Sequence, residues 1–278
     1  MNAMLEEHCG NLRAAINNDS LRLPTLPEVA LQIRDAVQRT DTDIPTLCEL
    51  IERDAALTTR MLKVANSPLY RSKSDICSLH SAVSRFGLSV ASNLATAAAM
   101  QQMFLTNSQI LDAQLRQAWA RSVEVASIAG VLARHFTKLR PDQATLAGLV
   151  HRIGVLPILA YAERHARLRR DADELNALMD YGHREIGRYV LELWNFPLWL
   201  QAVPTEYMQL QRSADQPDYV DVVTIASLQS MAGSGEIEAD MDWSEVTALG
   251  RLGLPAAMEC LQAEEIVEDV ASTKATLH

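Results

Sequence analysis

The adjacent pair His151-Arg152 carries the strongest chemical signal in this chain. It lies in the apolar stretch Leu146 to Pro157, whose composition is typical of a buried helix. A histidine followed by an aspartate on such a helix would offer one nitrogen and one oxygen ligand to a catalytic divalent metal. Here an arginine stands where the carboxylate would be, and a permanently charged guanidinium repels a metal ion. Whether the protein is an enzyme or a binding module depends largely on this substitution.

Helical periodicity dominates the elements that must position this pair, and no run of alternating strand residues is convincing. In the first half, an extended lead-in runs from Leu21 to Pro27. The helices expected after it begin at about Glu28, at the turn Asp41 to Pro45, and at or after Asp54, Ser78 and Ser89. Gly87 is expected to end the helix that Ser78 caps. The polar segment from Thr106 to Ala113 is a plausible junction between two subdomains.

In the second half, we expect a long helix from Leu115 to Phe136 and a helix that starts at Pro141-Asp142 and carries His151. Further helices are expected at about 172–181, 183–194, 197–211 and 220–232. Gly233-Ser-Gly235 predicts a flexible break before an acidic piece, Glu236 to Asp269, which we expect to form two more helices. The sequence therefore predicts an all-α protein of about a dozen short helices.

Composition and charge limit the classes of function. The chain has 278 residues, 48% of them hydrophobic and 22% charged, which is typical of a globular protein with a sizeable core. A formal net charge of −10 argues against general attraction to nucleic acid phosphates. The sequence contains no run of eighteen apolar residues that would predict a membrane span, and the start of the chain lacks a signal pattern. The four scattered cysteines, without a CxxC pair, indicate reduced thiols and a cytoplasmic location.

Several motifs in a fixed order resemble the HDOD domain, a family related to the HD-domain phosphohydrolases. In the first half they are Leu23-Pro-Thr-Leu-Pro27, Glu52 to Thr58, Leu62 to Pro68, Ile76 to Val83 and Phe86-Gly-Leu88. In the second half they are Trp119-Ala-Arg-Ser122, Ala147 to Gly154, His183 to Gly187, Leu191 to Pro197 and Ile225 to Leu228. One departure is Asp54-Ala-Ala-Leu57, where the family usually has a proline after the aspartate.

The resemblance implies a multi-helix fold with an N-terminal helical subdomain and a degenerate HD-like subdomain. We expect residues 1–20 to form an N-terminal helical extension and 21–235 the HDOD domain, with subdomains at about 21–105 and 114–235. Residues 236–278 would be an acidic helical segment. Since no receiver domain fits before Leu21, a stand-alone module is expected.

The resemblance also implies where the ligands of an HD metal site would fall. The first histidine falls at Arg121, the adjacent pair at His151 and Arg152, and the final aspartate at Ser227. Three of these four positions cannot serve as ordinary ligands, and two of the three are cations. His183 falls where related two-metal enzymes place a histidine; here we expect it near a helix start, facing its neighbours. The expected protein has no metal, no cofactor and no catalytic residue.

These five positions leave two interpretations open. In the structural one, His151 is a half-buried histidine that is hydrogen-bonded to a neighbouring helix, and each arginine either pairs with a nearby acid such as Glu124 or Glu185 or points to solvent. In the other, the former metal cavity keeps its shape, and its arginines hold a phosphate or a nucleotide.

Three functional hypotheses follow. The favoured one is a non-catalytic module of bacterial signal transduction that binds a partner protein or a small anionic ligand. A divergent phosphohydrolase is the alternative, with Glu124 or Glu185 replacing the lost ligands. A nucleic-acid-binding regulator is the weakest, because the basic run Arg164 to Arg170 lacks interleaved aromatics. The C-terminal piece could dock a partner, but we favour its packing back on the domain.

Overall fold

Helices account for all the regular structure of the protein in a computed structural model that describes residues 2–21, 26–39, 42–67, 76–104, 111–236, 241–254 and 264–277. Across these ranges the chain forms sixteen α-helices, two short 3-10 helices and no strand. The prediction of an all-α fold is confirmed. The predicted lead-in at 22–25, the turn at 40–41, Pro68 and the junction residues 105–110 lie outside the described residues.

The helices follow one another in two groups. The first group, up to the predicted junction, comprises α1 (Asn2–Asn17), α2 (Glu28–Gln38), α3 (Ile44–Glu52), α4 (Ala55–Ala65), α5 (Leu79–Phe86), α6 (Leu88–Met100) and a 3-10 helix (Gln101–Phe104). The second group begins with α7 (Asp112–Phe136), α8 (Pro141–Val150), α9 (Val155–Arg164), α10 (Ala166–Arg170), α11 (Ala172–Leu193), α12 (Leu198–Gln201), α13 (Val203–Glu206) and α14 (Tyr219–Gly233). The chain then forms a 3-10 helix (Trp243–Glu245), α15 (Thr247–Leu252) and α16 (Glu264–Leu277).

Side-chain caps start the early helices where the sequence predicts them. The carboxylate of Asp43 accepts a hydrogen bond from the backbone N–H of Thr46 at 2.9 Å and starts α3. The hydroxyl of Ser78 accepts from Ser81 N–H at 3.1 Å and starts α5. Gly87, with φ of +79°, ends α5 and leads directly into α6, a conformation that favours glycine. Local chemistry therefore determines these boundaries.

Asp54 caps α4 with two hydrogen bonds, from Ala56 N–H at 2.9 Å and Leu57 N–H at 3.0 Å, and its other oxygen accepts from Gln102 at 2.9 Å. We expect Asp54→Ala to lower the free energy of unfolding by about 1 kcal/mol, because it leaves helix N–H groups without an acceptor. Chemical denaturation measures the loss. Glu49→Ala, which removes an exposed carboxylate from α3, is the control. Equal stability of the two variants would contradict the capping role.

Two predicted helices are in fact one, and one predicted helix is broken. The segments 172–181 and 183–194 form the continuous helix α11. Gly182, between them, is buried against Cys9 and Ile158, and this close packing offsets the low helix propensity of glycine. The segment 197–211 breaks after Gln201, since Pro204 lies in the first turn of α13 and has no N–H to continue α12.

The long helix α7 is the centre of the second group. Its buried residues run from Leu115 to Ala133, and α8, α14 and α16 all contact it. The approach of α8 is close, because a Cβ at Gly148 would lie 2.4 Å from Ala126 Cα. The stretch Pro141–Arg164, which contains α8 and α9, has the length and hydropathy of a membrane span, but 89% of its most apolar window is buried within the protein. Buried core helices of globular proteins meet the same criterion of length and hydropathy.

The C-terminal segment packs on the domain in the parts that the structure describes. Leu249, Leu252 and Leu254 are buried, and Arg251 of α15 pairs with Asp221 of α14 at 2.7 Å. Helix α16 contacts α7, with Lys274 3.2 Å from Glu124. Residues 237–240 and 255–263 of the predicted acidic segment lie outside the described ranges.

Candidate functional site

Four of the five predicted site positions line one cavity of about 270 Å³. Arg121 comes from α7, Arg152 from the turn after α8, His183 from α11 and Ser227 from α14. The fifth residue, His151, is fully buried and packs edge-on against the ring of Tyr207, another residue of the cavity wall, with centroids 5.1 Å apart. Four separate elements therefore meet at the cavity where the resemblance places the HD ligand positions.

Close backbone contact brings α11 to the His151-Arg152 turn. Helix α8 ends at Val150, so His151 and Arg152 lie in a turn and not on the helix that the sequence predicts. A Cβ at Gly154, which ends this turn, would lie 2.2 Å from the backbone oxygen of His183 and 2.5 Å from the backbone nitrogen of Gly187. Only a residue without a side chain permits this approach, so Gly154 determines the separation between the two histidine-bearing segments.

His151 is a neutral hydrogen-bond acceptor in this site. Its Nδ1 lies 2.6 Å from the carbonyl oxygen of Gly148, which can only accept, so we assign the proton to Nδ1. Its Nε2 is buried and has no hydrogen-bond partner among the described residues. Burial lowers the pKa of His151 from 6.5 to about 3, and the charges of Arg152 and Arg121 act in the same direction. The ring therefore stays uncharged at neutral pH.

His183 uses both of its ring nitrogens within the protein. Its Nδ1 donates to the carbonyl oxygen of Met179 at 2.7 Å, and the hydroxyl of Tyr207 donates to its Nε2 at 2.8 Å. Burial lowers its pKa well below the ordinary value, followed by the charge of Arg152. The residue lies in the middle of α11 and not near a helix start, as the sequence suggested. Neither nitrogen is free to bind a metal.

Both arginines are paired, but not with the acids that the sequence suggested. Arg121 donates to Glu236 at 2.5 Å, and Arg152 donates to Asp180 at 2.9 Å. Of the two acids expected, Glu124 pairs with Lys274 at 3.2 Å and Glu185 pairs with Arg13 at 2.9 Å. The expectation that each arginine pairs with an acid is confirmed, and only the two acids named as examples are wrong, because helix packing and not sequence proximity selects the partner.

A second cavity, of about 290 Å³, shares Arg121, Arg152 and Asp180 with the first. The side chains of Arg121 and Arg152 thus line two recesses. Arg184 lines the first cavity as well and makes no ion pair within the part of the chain that the structure describes. The sequence reasoning missed Asp180, Arg184, Tyr207 and Glu236; only Arg184 had a signal, since it adjoins His183 in a family motif.

The residues present do not fit an HD-type metal centre. Such a centre needs imidazole and carboxylate ligands that converge on one point. Two of the four positions hold guanidinium groups, and Ser227 offers a hydroxyl in place of a carboxylate. Within the described ranges, no three His, Cys, Asp or Glu side chains are grouped so that they could hold a metal ion. The chemistry that the site supports is the binding of anions or of hydrogen-bonding groups.

A sequence model of a protein family and solved structures of other proteins match this chain. A sequence model of the HDOD domain matches residues 23–210. A crystal structure from Shewanella amazonensis SB2B, of a protein provisionally named a metal-dependent phosphohydrolase, is 31% identical, covers 99% of both chains and has a TM-score of 0.87. An HDOD domain protein of unknown function from Geobacter sulfurreducens is 21% identical, covers 98% of both chains and has a TM-score of 0.71.

A curated relative, an uncharacterized protein of Treponema pallidum (strain Nichols), is 28% identical over 210 residues. That match covers 70% of this chain and 39% of the relative, so the chain spans well under half the relative's length.

Proposed function

The chain belongs to the HDOD domain family, and from this premise we propose that it is a non-catalytic module of bacterial signal transduction. In this role it binds a partner protein or a small ligand in the cytoplasm. No bond is made or broken at the former metal site. The site instead holds its helices in one arrangement and offers charged and polar groups for recognition.

One observation carries this proposal: guanidinium groups occupy two positions of the HD ligand set and are held there by ion pairs. The side chains of Arg121 and Arg152 are only 25% and 14% exposed. Two positive charges this close to His151 oppose the approach of a divalent cation. Both arginines line the cavity wall, which supports a site for anions and not for a metal ion.

A metal-dependent phosphohydrolase is the second candidate, favoured by the name of the Shewanella protein. It would need carboxylates that replace the missing ligands. Glu124 and Glu185 are committed to Lys274 and Arg13, and neither lines the cavity. The two carboxylates that do line it, Asp180 and Glu236, are paired with the arginines. This arrangement supports the first candidate.

We expect the purified protein to hold less than stoichiometric transition metal and to show no turnover of phosphodiesters or nucleotides in the presence of Mn²⁺ or Mg²⁺. Elemental analysis and product release measure the two quantities. The matched positive control is the triple variant Arg121→His, Arg152→Asp and Ser227→Asp, which restores the ligand types and is expected to gain metal. Stoichiometric metal in the wild type, with turnover that His151→Ala abolishes, would establish the enzyme instead.

Partner binding requires a separate measurement. We expect a partner captured from a bacterial lysate and identified by mass spectrometry to bind the purified chain directly in a calorimetric titration. A chain that captures no protein and binds no small ligand would contradict the recognition role.

A further inference from the structure

The cavity at the former metal site is locally cationic in an acidic protein. Its walls carry three guanidinium groups, from Arg121, Arg152 and Arg184, against two carboxylates, from Asp180 and Glu236. The whole chain has a formal net charge of −10, so the surplus of positive charge at the cavity is opposite in sign to the charge of the protein. A recess that concentrates charge opposite to that of the protein attracts anions selectively.

The arginine and carboxylate side chains of the cavity differ in their exposure to solvent. The side chains of Arg121 and Arg152 are 25% and 14% exposed, whereas those of Glu236 and Asp180 are 46% and 71% exposed. The cations are therefore fixed parts of the wall, and the carboxylates reach them from solvent. Exposed carboxylates of this kind contribute little net binding, because water solvates them well when they leave.

Other groups at this cavity have unused hydrogen-bonding capacity. Arg184 is half-buried and forms no ion pair within the described residues, and the hydroxyl of Ser227 has no hydrogen-bond partner there. Arg184 and Ser227 can therefore donate hydrogen bonds to a ligand in the cavity.

Glu236 differs from Asp180 in how it is attached. Asp180 belongs to helix α11, whereas Glu236 follows the end of α14, where Gly235 has φ of +73° and the N–H of Glu236 donates to the carbonyl oxygen of Met231 at 2.9 Å. Rotation of the Glu236 side chain, which is 46% exposed, would move its carboxylate from Arg121 into solvent with the loss of one further hydrogen bond, from the hydroxyl of Ser234. It behaves as an anion that is supplied by the chain itself.

We propose that Arg121, Arg152 and Arg184 bind a phosphate-class oxyanion and that the carboxylate of Glu236 is an internal competitor which the oxyanion displaces. This inference rests on the proposed non-catalytic use of the site. Guanidinium forks suit the tetrahedral oxygens of phosphate because each can donate two parallel hydrogen bonds. The hydroxyl of Ser227 adds a neutral donor.

Isothermal titration of the purified chain with inorganic phosphate, at low ionic strength and pH 7.5, tests the proposal. We expect saturable binding that Arg152→Gln weakens about tenfold or more, because a charge-assisted hydrogen bond is lost. We expect Glu236→Gln to strengthen binding by up to about fivefold, since it removes the competitor. A second titration with AMP distinguishes free phosphate from a phosphomonoester as the ligand.

Matched controls lie on the neighbouring surface. Arg188→Gln and Glu192→Gln change the net charge by the same amounts, and these two exposed residues of α11 pair with each other. Thermal melts first establish that all variants are folded. Neither control variant is then expected to change the phosphate affinity by more than twofold. Equal effects of Glu192→Gln and Glu236→Gln would overturn the role of Glu236 as competitor.

These experiments distinguish a failure of the oxyanion site from a failure of the proposed non-catalytic function. If neither phosphate nor AMP binds to the wild type or to Glu236→Gln, the oxyanion site is wrong and the non-catalytic module stands. If phosphate binds but Arg152→Gln leaves the affinity unchanged, the oxyanion site is again wrong. If phosphate binds as expected and phosphodiesters are turned over, the site stands and the non-catalytic function fails.

Discussion

Acidification from pH 7 to pH 5 is expected to lower the free energy of unfolding by about 2 kcal/mol through His151, and His183 acts in the same direction. Both rings are buried, and burial lowers both pKa values, to about 3 for His151. In the unfolded chain each ring would regain an ordinary pKa, near 6.5. The unfolded state therefore takes up protons in this range and the folded state does not.

The sign of the effect follows from this difference in proton uptake. A depressed folded-state pKa means that the folded protein keeps its stability above about pH 6.5 and loses it as the pH falls. The loss continues down to the folded-state pKa, which for His151 is about 3. Carboxylates add their own contribution nearer pH 4, so the window between pH 7 and pH 5 isolates the histidines.

Urea denaturation at half-unit pH steps measures this loss. His151→Gln and His183→Gln are each expected to reduce the slope of stability against pH, whatever they do to stability at pH 7. His80→Gln, a change at an exposed histidine of α5, is the control and should leave the slope unchanged. A wild-type stability that is flat between pH 7 and pH 5 would show that the two rings are not buried as neutral groups.

The second large effect is expected for Gly154→Ala, which should lower the free energy of unfolding by about 3 kcal/mol or more. The added Cβ would lie 2.2 Å from the backbone oxygen of His183 and 2.5 Å from the backbone nitrogen of Gly187. Both contacts are backbone atoms, so no side chain can rotate away to make room. The helix α11 would have to move from the His151-Arg152 turn, and the cavity would change shape with it.

Gly10→Ala is the matched control, because Gly10 is exposed on α1 and an added Cβ meets nothing within 4 Å. There alanine is expected to leave stability unchanged or to raise it by about 0.5–1 kcal/mol through helix propensity. Thermal and urea denaturation of both variants provide the comparison. If Gly154→Ala were as stable as Gly10→Ala, the close approach of α11 to the turn would be wrong.

The sequence predicted local structure well where one short segment contains its own signal. Asp43, Asp54 and Ser78 cap their helices, because a cap and the N–H groups that it satisfies lie within three residues of each other. The prediction was wrong where a contact from elsewhere overrides a local preference. Gly182 does not end a helix, since its burial against Cys9 and Ile158 compensates for its low propensity.

Part of the candidate site followed from the order of motifs alone. The resemblance located Arg121, His151, Arg152, His183 and Ser227 on separate segments, and four of them line one cavity. Their partners could not be found in this way. Tyr207 donates to His183 across 24 positions, and no regular spacing marks that pair.

The sequence by itself determined that the protein is all-α and that it has the HDOD motifs, because residue type and short spacing carry those properties. The resemblance then places arginines at two of the expected HD ligand positions. Only the tertiary structure decided what these cations do. Arg152 pairs with Asp180 across 28 positions and Arg121 with Glu236 across 115, and the packing of α7, α11 and α14 sets both distances. Burial likewise depends on every neighbouring helix, so the neutral state of His151 follows from the fold and not from its motif.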